Sequence, residues 1–306
     1  MKSFKEISFQ FLRGIAMGTA DVVPGVSGGT IALLLGIYER LIKTIKIGST
    51  TIGVLLRGDF HGAFKKLCDL DWWFLIPLLT GIVIAVIVLA STVENLLLDY
   101  PEEMAGLFLG LVGASVVVVI RMLESWNWFR IGTSTLVSIA TFVILGFSNG
   151  PIVEPSTLVL LGAGAAAISA WILPGISGSF LLLMLGMYSS VLNAIENQIF
   201  GDLLILAIGA IIGLSLFTTI LAGLLKRYRN AVLAILIGLM IGSLRVLWPW
   251  PNGVGIISQN NDNLLSGTKM TLPTSGTLWA PLAITCAAFI ATLGLDFIWK
   301  KKEKQY

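Results

Sequence analysis

The chain is poor in the residues that most sites of chemistry are built from: one histidine and two cysteines in 306 residues, with charged residues only 12% of the total. His61 lies alone in a charged stretch, which argues against any reaction that needs a histidine pair or a phosphohistidine. Cys68 and Cys286 have neither metal-ligand spacing nor suitable neighbours, so both are read as structural thiols without a role. A formal net charge of +3 is too small for a nucleic-acid binder, and the basic residues sit in short loops rather than along one face, so no nucleic acid is expected as a partner. The segment Met1-Lys2-Ser3-Phe4-Lys5-Glu6 leads into no long apolar region with a small-residue cleavage site, so no removable signal is expected.

What the chain does have is apolar surface. Hydrophobic residues make up 56% of it and the mean hydropathy is +0.91, values that belong to a polytopic membrane protein rather than to a water-soluble domain. A spanning helix needs roughly 20 apolar residues at about 1.5 Å each. Runs of that kind cover about 73–98, 104–121, 132–149, 203–224, 231–248 and 278–298, which predicts six spans and an all-α membrane fold.

Two further stretches are interrupted at their middle, by Pro24-Gly25-Val26-Ser27-Gly28-Gly29 and by Pro174-Gly175-Ile176-Ser177-Gly178-Ser179, 150 residues later (174 − 24). Proline lacks an N–H and glycine tolerates left-handed φ, so no helix runs straight through either segment, and lipid cannot satisfy the backbone groups set free. The flanking arms, 8–23 with 28–42 and 156–173 with 178–192, are long enough to reach the bilayer midplane but not to cross it comfortably. Each pair is therefore read as a re-entrant hairpin, about 8–42 and about 156–192.

The breaks belong to a longer repeat. Gly36-Ile37-Tyr38 recurs as Gly186-Met187-Tyr188 at the same offset. Beyond it Gly81 pairs with Gly209, Tyr100 with Tyr228, and the run Gly110 to Ser115 with Gly238 to Ser243, all 128 residues apart (209 − 81). The first half thus carries 22 extra residues (150 − 128), placed within the polar insert of about 43–71. Residues 1–150 and 151–306 form the two repeats, each a hairpin followed by three spans. The loop around Asp99, Glu102 and Glu103 is acidic, whereas its counterpart holds Lys226, Arg227 and Arg229. Basic loops favour the cytoplasmic side, so equivalent loops face opposite sides. Inverted-topology repeats with cytoplasmic N- and C-termini place every basic loop inside, the Lys300-Lys301-Lys302 tail included.

At each hairpin tip a helix resumes directly after small residues, so backbone N–H groups and the positive end of the helix dipole converge on one place. With hydroxyls from Ser27, Thr30, Ser177 and Ser179 and the open backbone of Gly28, Gly29 and Gly178, two facing tips would hold a phosphate or another oxyanion reversibly. Small residues also permit close helix packing, which is the competing explanation of the glycines. Between the two hairpins, charged residues are confined to the first: Arg13, Asp21, Glu39 and Arg40 correspond at the offset of 150 to Ala163, Trp171, Ser189 and Ser190. Arg13 has the fork geometry that suits phosphate. Asp21 is placed to exchange a proton or to hold Arg13. Glu39 and Arg40 are also candidate substrate contacts, although they sit close enough to the interface for snorkelling to account for them. Trp72, Trp73, Trp126, Trp128, Trp248 and Trp250 are read as interfacial belts, Arg245 as an outer-leaflet anchor and about 249–277 as an outer connecting loop.

Arg13-Gly14, the run Gly18-Thr19-Ala20-Asp21-Val22-Val23-Pro24-Gly25-Val26-Ser27-Gly28-Gly29-Thr30, Gly36-Ile37-Tyr38-Glu39 and Leu173-Pro174-Gly175-Ile176-Ser177-Gly178-Ser179 together resemble the bacterial polyprenyl-phosphate transporter family, which includes the PopT-type undecaprenyl-phosphate translocases. The resemblance covers nearly the whole chain. It implies a transporter, not an enzyme, that returns undecaprenyl phosphate from the outer to the inner leaflet of the bacterial cytoplasmic membrane for reuse in peptidoglycan and other envelope polymers. The implied partners are that lipid and the surrounding membrane lipids. No metal or cofactor is implied, and either a proton or a sodium gradient is open as the driving force. Undecaprenyl-diphosphate phosphatases share inverted hairpins and a Pro-Gly-x-Ser motif, but theirs continues Arg-Ser beside paired glutamates. Here Ser27 is followed by Gly28-Gly29 and Ser177 by Gly178-Ser179. A small-anion or ion-coupled transporter would use the same binding physics and stays open as an alternative.

Overall fold

The computed structural model describes residues 4–22, 27–146, 152, 155–250, 270, 272–273 and 278–303, and its regular elements are all α-helices. In chain order they are α1 (Phe4–Asp21), α2 (Gly28–Leu34), α3 (Tyr38–Leu56), α4 (Phe60–Cys68), α5 (Trp72–Asp99), α6 (Pro101–Ile120), α7 (Trp128–Ile144), α8 (Thr157–Ile172), α9 (Gly178–Met184), α10 (Tyr188–Glu196), α11 (Phe200–Ser243) and α12 (Trp279–Glu303).

Four of these are long and apolar enough to cross a bilayer: α5, α6, α11 and α12. The protein is a multi-pass membrane protein. At 44 residues α11 would reach about 66 Å at 1.5 Å per residue, roughly twice a hydrocarbon core. Its backbone leaves helical geometry at Tyr228 (φ −133°, ψ 42°), so it holds two of the expected spans. Tyr100, the matching residue of the first half, has nearly the same conformation (φ −135°, ψ 56°) and separates α5 from α6. The span expected over 132–149 is the 17-residue α7, which starts four residues earlier (132 − 128); residues 147–150 lie outside the described ones. The span expected over 231–248 stops at Ser243 and continues in tight turns to Trp248.

The second arms of the hairpins need correction. Neither 28–42 nor 178–192 is one helix; each breaks after seven residues. Gly36 and Gly186 take φ of +69° and +70°, a left-handed turn that costs glycine nothing. The closing bonds recur as well: Gly36 N–H donates to Leu33 O (3.1 Å) and Ile37 N–H to Ala32 O (2.9 Å), and Gly186 N–H donates to Leu183 O (2.9 Å) and Met187 N–H to Leu182 O (2.8 Å). In the second half the chain bends by 112° there, from α9 into α10. In the first half α3 runs on to Leu56, so 43–56 is helix rather than polar loop.

Glycines set the packing. A β-carbon on Gly14 would lie 2.1 Å from Leu78 O, and one on Gly81 would lie 2.2 Å from Phe11 O. In the second half the same relation joins Gly164 to Leu206 O (2.2 Å) and Gly209 to Leu161 O (2.1 Å), at positions matched by the offsets of the repeat. So α1 lies on α5 as α8 lies on the first part of α11. Gly106 and Gly110 seat α6 on α12, while Gly238 and Gly242 seat the second part of α11 on α7. Each half's second long helix therefore packs on the other half's third. In the largest buried apolar cluster Tyr38 and Phe74 of the first half join Leu233, Ile237 and Met240 of the second.

Candidate functional site

The site grows from the ends of α1 and α8. Both helices terminate inside the protein, and their last carbonyls and the N–H groups of the next helix must find partners there. They find them both within the first hairpin and across the repeat. Asp21 Oδ1 accepts from Gly28 N–H (2.7 Å) and from the indole Nε1–H of Trp171 (2.9 Å). Ser27, fully buried, caps α2 by accepting from Gly29 N–H (3.0 Å) and donates to Trp171 O (2.7 Å). Thr30, also fully buried, accepts from Gly175 N–H (2.9 Å). The two hairpin tips are thus joined by three hydrogen bonds, and in each the first hairpin supplies a side chain.

Asp21 and Trp171 occupy equivalent places in the two repeats, so the acceptor of one half meets the donor of the other. The second tip keeps its own hydroxyls: Ser177 and Ser179 bond to one another (2.8 Å), and Ser177 makes no side-chain cap to α9. Gly175 takes φ +88°, and a β-carbon there would meet Met240 Cα at 2.8 Å. Pro174 is buried beside it. Pro24 and Gly25 lie outside the described residues.

The tip glycines are close-packed. A β-carbon on Gly28 would stand 2.7 Å from the Asp21 carboxylate, one on Gly29 2.5 Å from Ile172 O, and one on Gly178 2.5 Å from Ala167 O. Close approach of protein to protein accounts for all three in this conformation.

Three charged candidates sit away from the tips. Arg13 and Asp21 stand eight residues apart on α1, about 12 Å along its axis, so the expected contact between them is not made. The Arg13 guanidinium instead donates to Leu35 O (3.4 Å) and Gln10 Oε1 (3.3 Å) and lies over the Phe9 ring. It thereby caps the C-terminal end of α2, where cations are favoured. Arg40 pairs with Asp71 and stacks on Phe74, tying the start of α3 to the start of α5. Glu39 accepts from Arg229 Nε–H (2.6 Å), beside the break at Tyr228. Trp171, Asp71 and Arg229 are partners that charge and spacing do not point to. For Trp171 the signal was present, since it is the residue aligned with Asp21.

The tryptophans divide. Trp72, Trp73, Trp126 and Trp128 are exposed, as interfacial residues should be, but Trp250 is buried and stacks edge-on against Trp248. Arg245 turns back onto α7, over the Phe142 ring with a bond to Phe142 O (3.2 Å). Cys68 and Cys286 are free and exposed.

A family model described as undecaprenyl phosphate translocase-like matches residues 17–264, which take in both tips and every bond between them. The chain belongs to that family. Among curated proteins it is similar to a polyprenyl-phosphate transporter of Vibrio cholerae, with 42% identity over 242 residues, 78% of this chain and 77% of that one. It is also similar to a polyprenyl-phosphate transporter of Staphylococcus aureus, with 30% identity over 99% of this chain and all of the other. No solved structure matches.

Proposed function

We propose that this protein translocates a polyprenyl phosphate, undecaprenyl phosphate, from the outer to the inner leaflet of the bacterial cytoplasmic membrane for reuse in envelope synthesis. The single observation that supports it most is the meeting of the two hairpin tips through buried hydroxyls, backbone N–H groups and one carboxylate. A long isoprenoid tail stays in hydrocarbon on either leaflet. What must be helped across is the phosphate, which hydrocarbon alone will not solvate. In this reading the two repeats are inverted in the membrane, and each hairpin opens towards one face.

Asp21 holds the place that the phosphate takes. A phosphate oxygen accepts from Gly28 N–H and Trp171 Nε1–H as a carboxylate does, and Ser27, Thr30, Ser177 and Ser179 offer hydroxyls to its other oxygens. Two anions at one spot repel. The phosphate therefore enters as Asp21 withdraws, takes up a proton or pairs with sodium, and loss of the three tip bonds lets the hairpins part. Arg13, about 12 Å along α1 from Asp21, receives the head group on one side of the tips.

Reconstituted vesicles carrying labelled undecaprenyl phosphate, with and without an imposed pH or sodium gradient, test this. Arg13→Lys should weaken binding by losing the bidentate fork, whereas Asp21→Asn should bind but no longer respond to the gradient. Transport by Asp21→Asn with an unchanged gradient response would leave Asp21 a latch and nothing more. Failure of the native protein to move the lipid, alongside movement of a small phosphate ester, would replace the lipid with a soluble anion.

A further inference from the structure

The first half carries an insert that the second lacks, and its fold points to a use separate from the tips. In the second half only Asn197, Gln198 and Ile199 link α10 to α11; in the first, the distal part of α3, a turn and α4 stand between the hairpin and α5. This addition is a helical hairpin formed by the distal part of α3 and α4, and beneath it the Arg40–Asp71 ion pair ties the start of α3 to the residue before α5. Gly58, at φ +80°, makes the turn, and the Asp59 carboxylate caps α4 by accepting from Gly62 N–H (2.8 Å).

The outward face of α4 has the wrong polarity for water. Phe60 and Phe64, one turn apart, are 72% and 68% exposed, and Leu67 follows on the same stripe at 39%. Only Ala63 of this helix is buried, so α4 is held to the protein along a narrow line while its phenylalanines point away. Ile52 and Leu55 of α3, the partner helix of α4, and Trp72 and Trp73 at the start of α5 are exposed as well. Basic residues flank the stripe: His61 and Lys65 on one edge of the helix, Lys66 on the other, and Arg57 at the turn, against the exposed Asp69 at the helix end and Asp59, whose carboxylate is committed to the cap. An apolar stripe with cationic edges is the pattern of a helix that lies in a membrane interface.

Chain continuity sets its height. Trp72 is the first residue of the α5 span, and its indole Nε1–H donates to Leu67 O (2.8 Å), locking the end of α4 to the point where the chain enters the bilayer. A helix tied there lies at the level of the lipid head groups, where tryptophan side chains also settle.

We infer that α4 is an interfacial foot that docks on the anionic head-group layer beside the first hairpin, with Phe60 and Phe64 inserted at the acyl boundary and Lys65 and Lys66 on lipid phosphates. The occupant is an anionic lipid surface. The attraction has two parts that separate experimentally, an apolar part indifferent to lipid charge and an electrostatic part worth a measurable gain per lysine.

Cys68, exposed at the end of α4, carries a native reporter position. The full chain with Cys286→Ala, labelled at Cys68 with an environment-sensitive fluorophore, is placed in vesicles of phosphatidylcholine alone or mixed with phosphatidylglycerol. Nitroxide lipids labelled near the glycerol level should quench it several-fold more than aqueous iodide does, and more in the phosphatidylglycerol mixture. The Phe60→Ser/Phe64→Ser variant should reverse the preference in both lipids. The Lys65→Gln/Lys66→Gln variant changes only exposed or half-exposed side chains; it should keep lipid quenching in phosphatidylcholine and lose the gain from phosphatidylglycerol. Dominant iodide quenching in the native chain, indifference to both double substitutions, or disulfide crosslinking of Cys68 between two copies in these vesicles would each overturn the inference, the last by making the face a contact between protein chains.

Discussion

The two halves share the turns and helix contacts around their hairpins and differ in the side chains they bring to the junction. Gly36 and Gly186 make the same left-handed turn, and the glycine contacts of α1 with α5 reappear between α8 and the first part of α11. Yet the first tip brings Asp21, Ser27 and Thr30 to the junction, and the second answers with an indole, a carbonyl and an amide. Repetition fixes where two helix ends meet. The unlike residues decide which end reaches across. A symmetric pair of carboxylates at the Asp21 and Trp171 positions would repel, and a symmetric pair of indoles would leave the Gly28 N–H facing a donor.

The comparison breaks outright if the halves are not inverted. Tyr100 and Tyr228 are matched, similarly exposed at 54% and 51%, and alike in backbone. Tyr100→Cys and Tyr228→Cys, each alone in a chain with Cys68→Ala and Cys286→Ala, should label from opposite sides of sealed membranes with an impermeant maleimide. Labelling from one side would end the inverted reading while leaving the local repeat intact.

Equal and large losses are expected from Gly14→Val and Gly164→Val. Each added side chain starts about 2 Å from a backbone oxygen of the neighbouring helix, and neither backbone gives way without moving a whole helix. A cost of about 3 kcal/mol or more is expected for each, read as thermal or steric-trap unfolding in detergent. Gly48→Ala and Gly223→Ala, where no atom lies within 4 Å of the new methyl, should be near neutral. Unequal losses would mean that the two contacts are alike only in geometry.

Much of this could be read in the sequence. The long apolar runs mark the long helices, and Pro174-Gly175 marks the chain break between α8 and α9, while Pro24-Gly25 lies outside the described residues. The recurrence of Gly36-Ile37-Tyr38 was visible too, but not its consequence, since a left-handed glycine after seven helical residues looks like any other small residue in an apolar arm. Lys43 and Lys46 made a helix look like a loop, although α3 runs through both. Charge alone drew attention to Asp21 and away from Trp171, whose indole is its partner. Arg13, Glu39 and Arg40 were grouped with the tips because they are charged. Their partners, Leu35 O, Arg229 and Asp71, come together only through the path of α3 and the break in α11.

A smaller effect tests the asymmetry at the tips. Thr30→Val keeps shape but leaves the buried Gly175 N–H without its acceptor, at a cost of about 2 kcal/mol. Its repeat counterpart, Phe180, has no hydroxyl to lose. Ser179→Ala removes only a bond inside one tip, at about 1 kcal/mol. If Ser179→Ala proves the costlier in unfolding, the junction is held by the second tip and not the first.

The smallest effect is expected at Glu39 and Arg229, and it is informative because of its size. The two side chains are half-exposed, at 51% and 37%, so water and salt screen their attraction and a double-mutant cycle of Glu39→Gln with Arg229→Gln should give less than about 1 kcal/mol of stability. The pair nevertheless joins the start of α3, just after the turn at Gly36, to the residue that follows the break at Tyr228. Its second-half counterpart, Ser189, offers no charge. A pair that contributes little to folding but bridges the two repeats is suited to breaking and re-forming as they move, so Glu39→Gln should shift transport rate more than it shifts unfolding. Raising the salt concentration should reproduce that shift in the native chain and not in the variant. Equal salt dependence in both would assign the pair to the static surface and leave the tips as the contact between the halves that changes during transport.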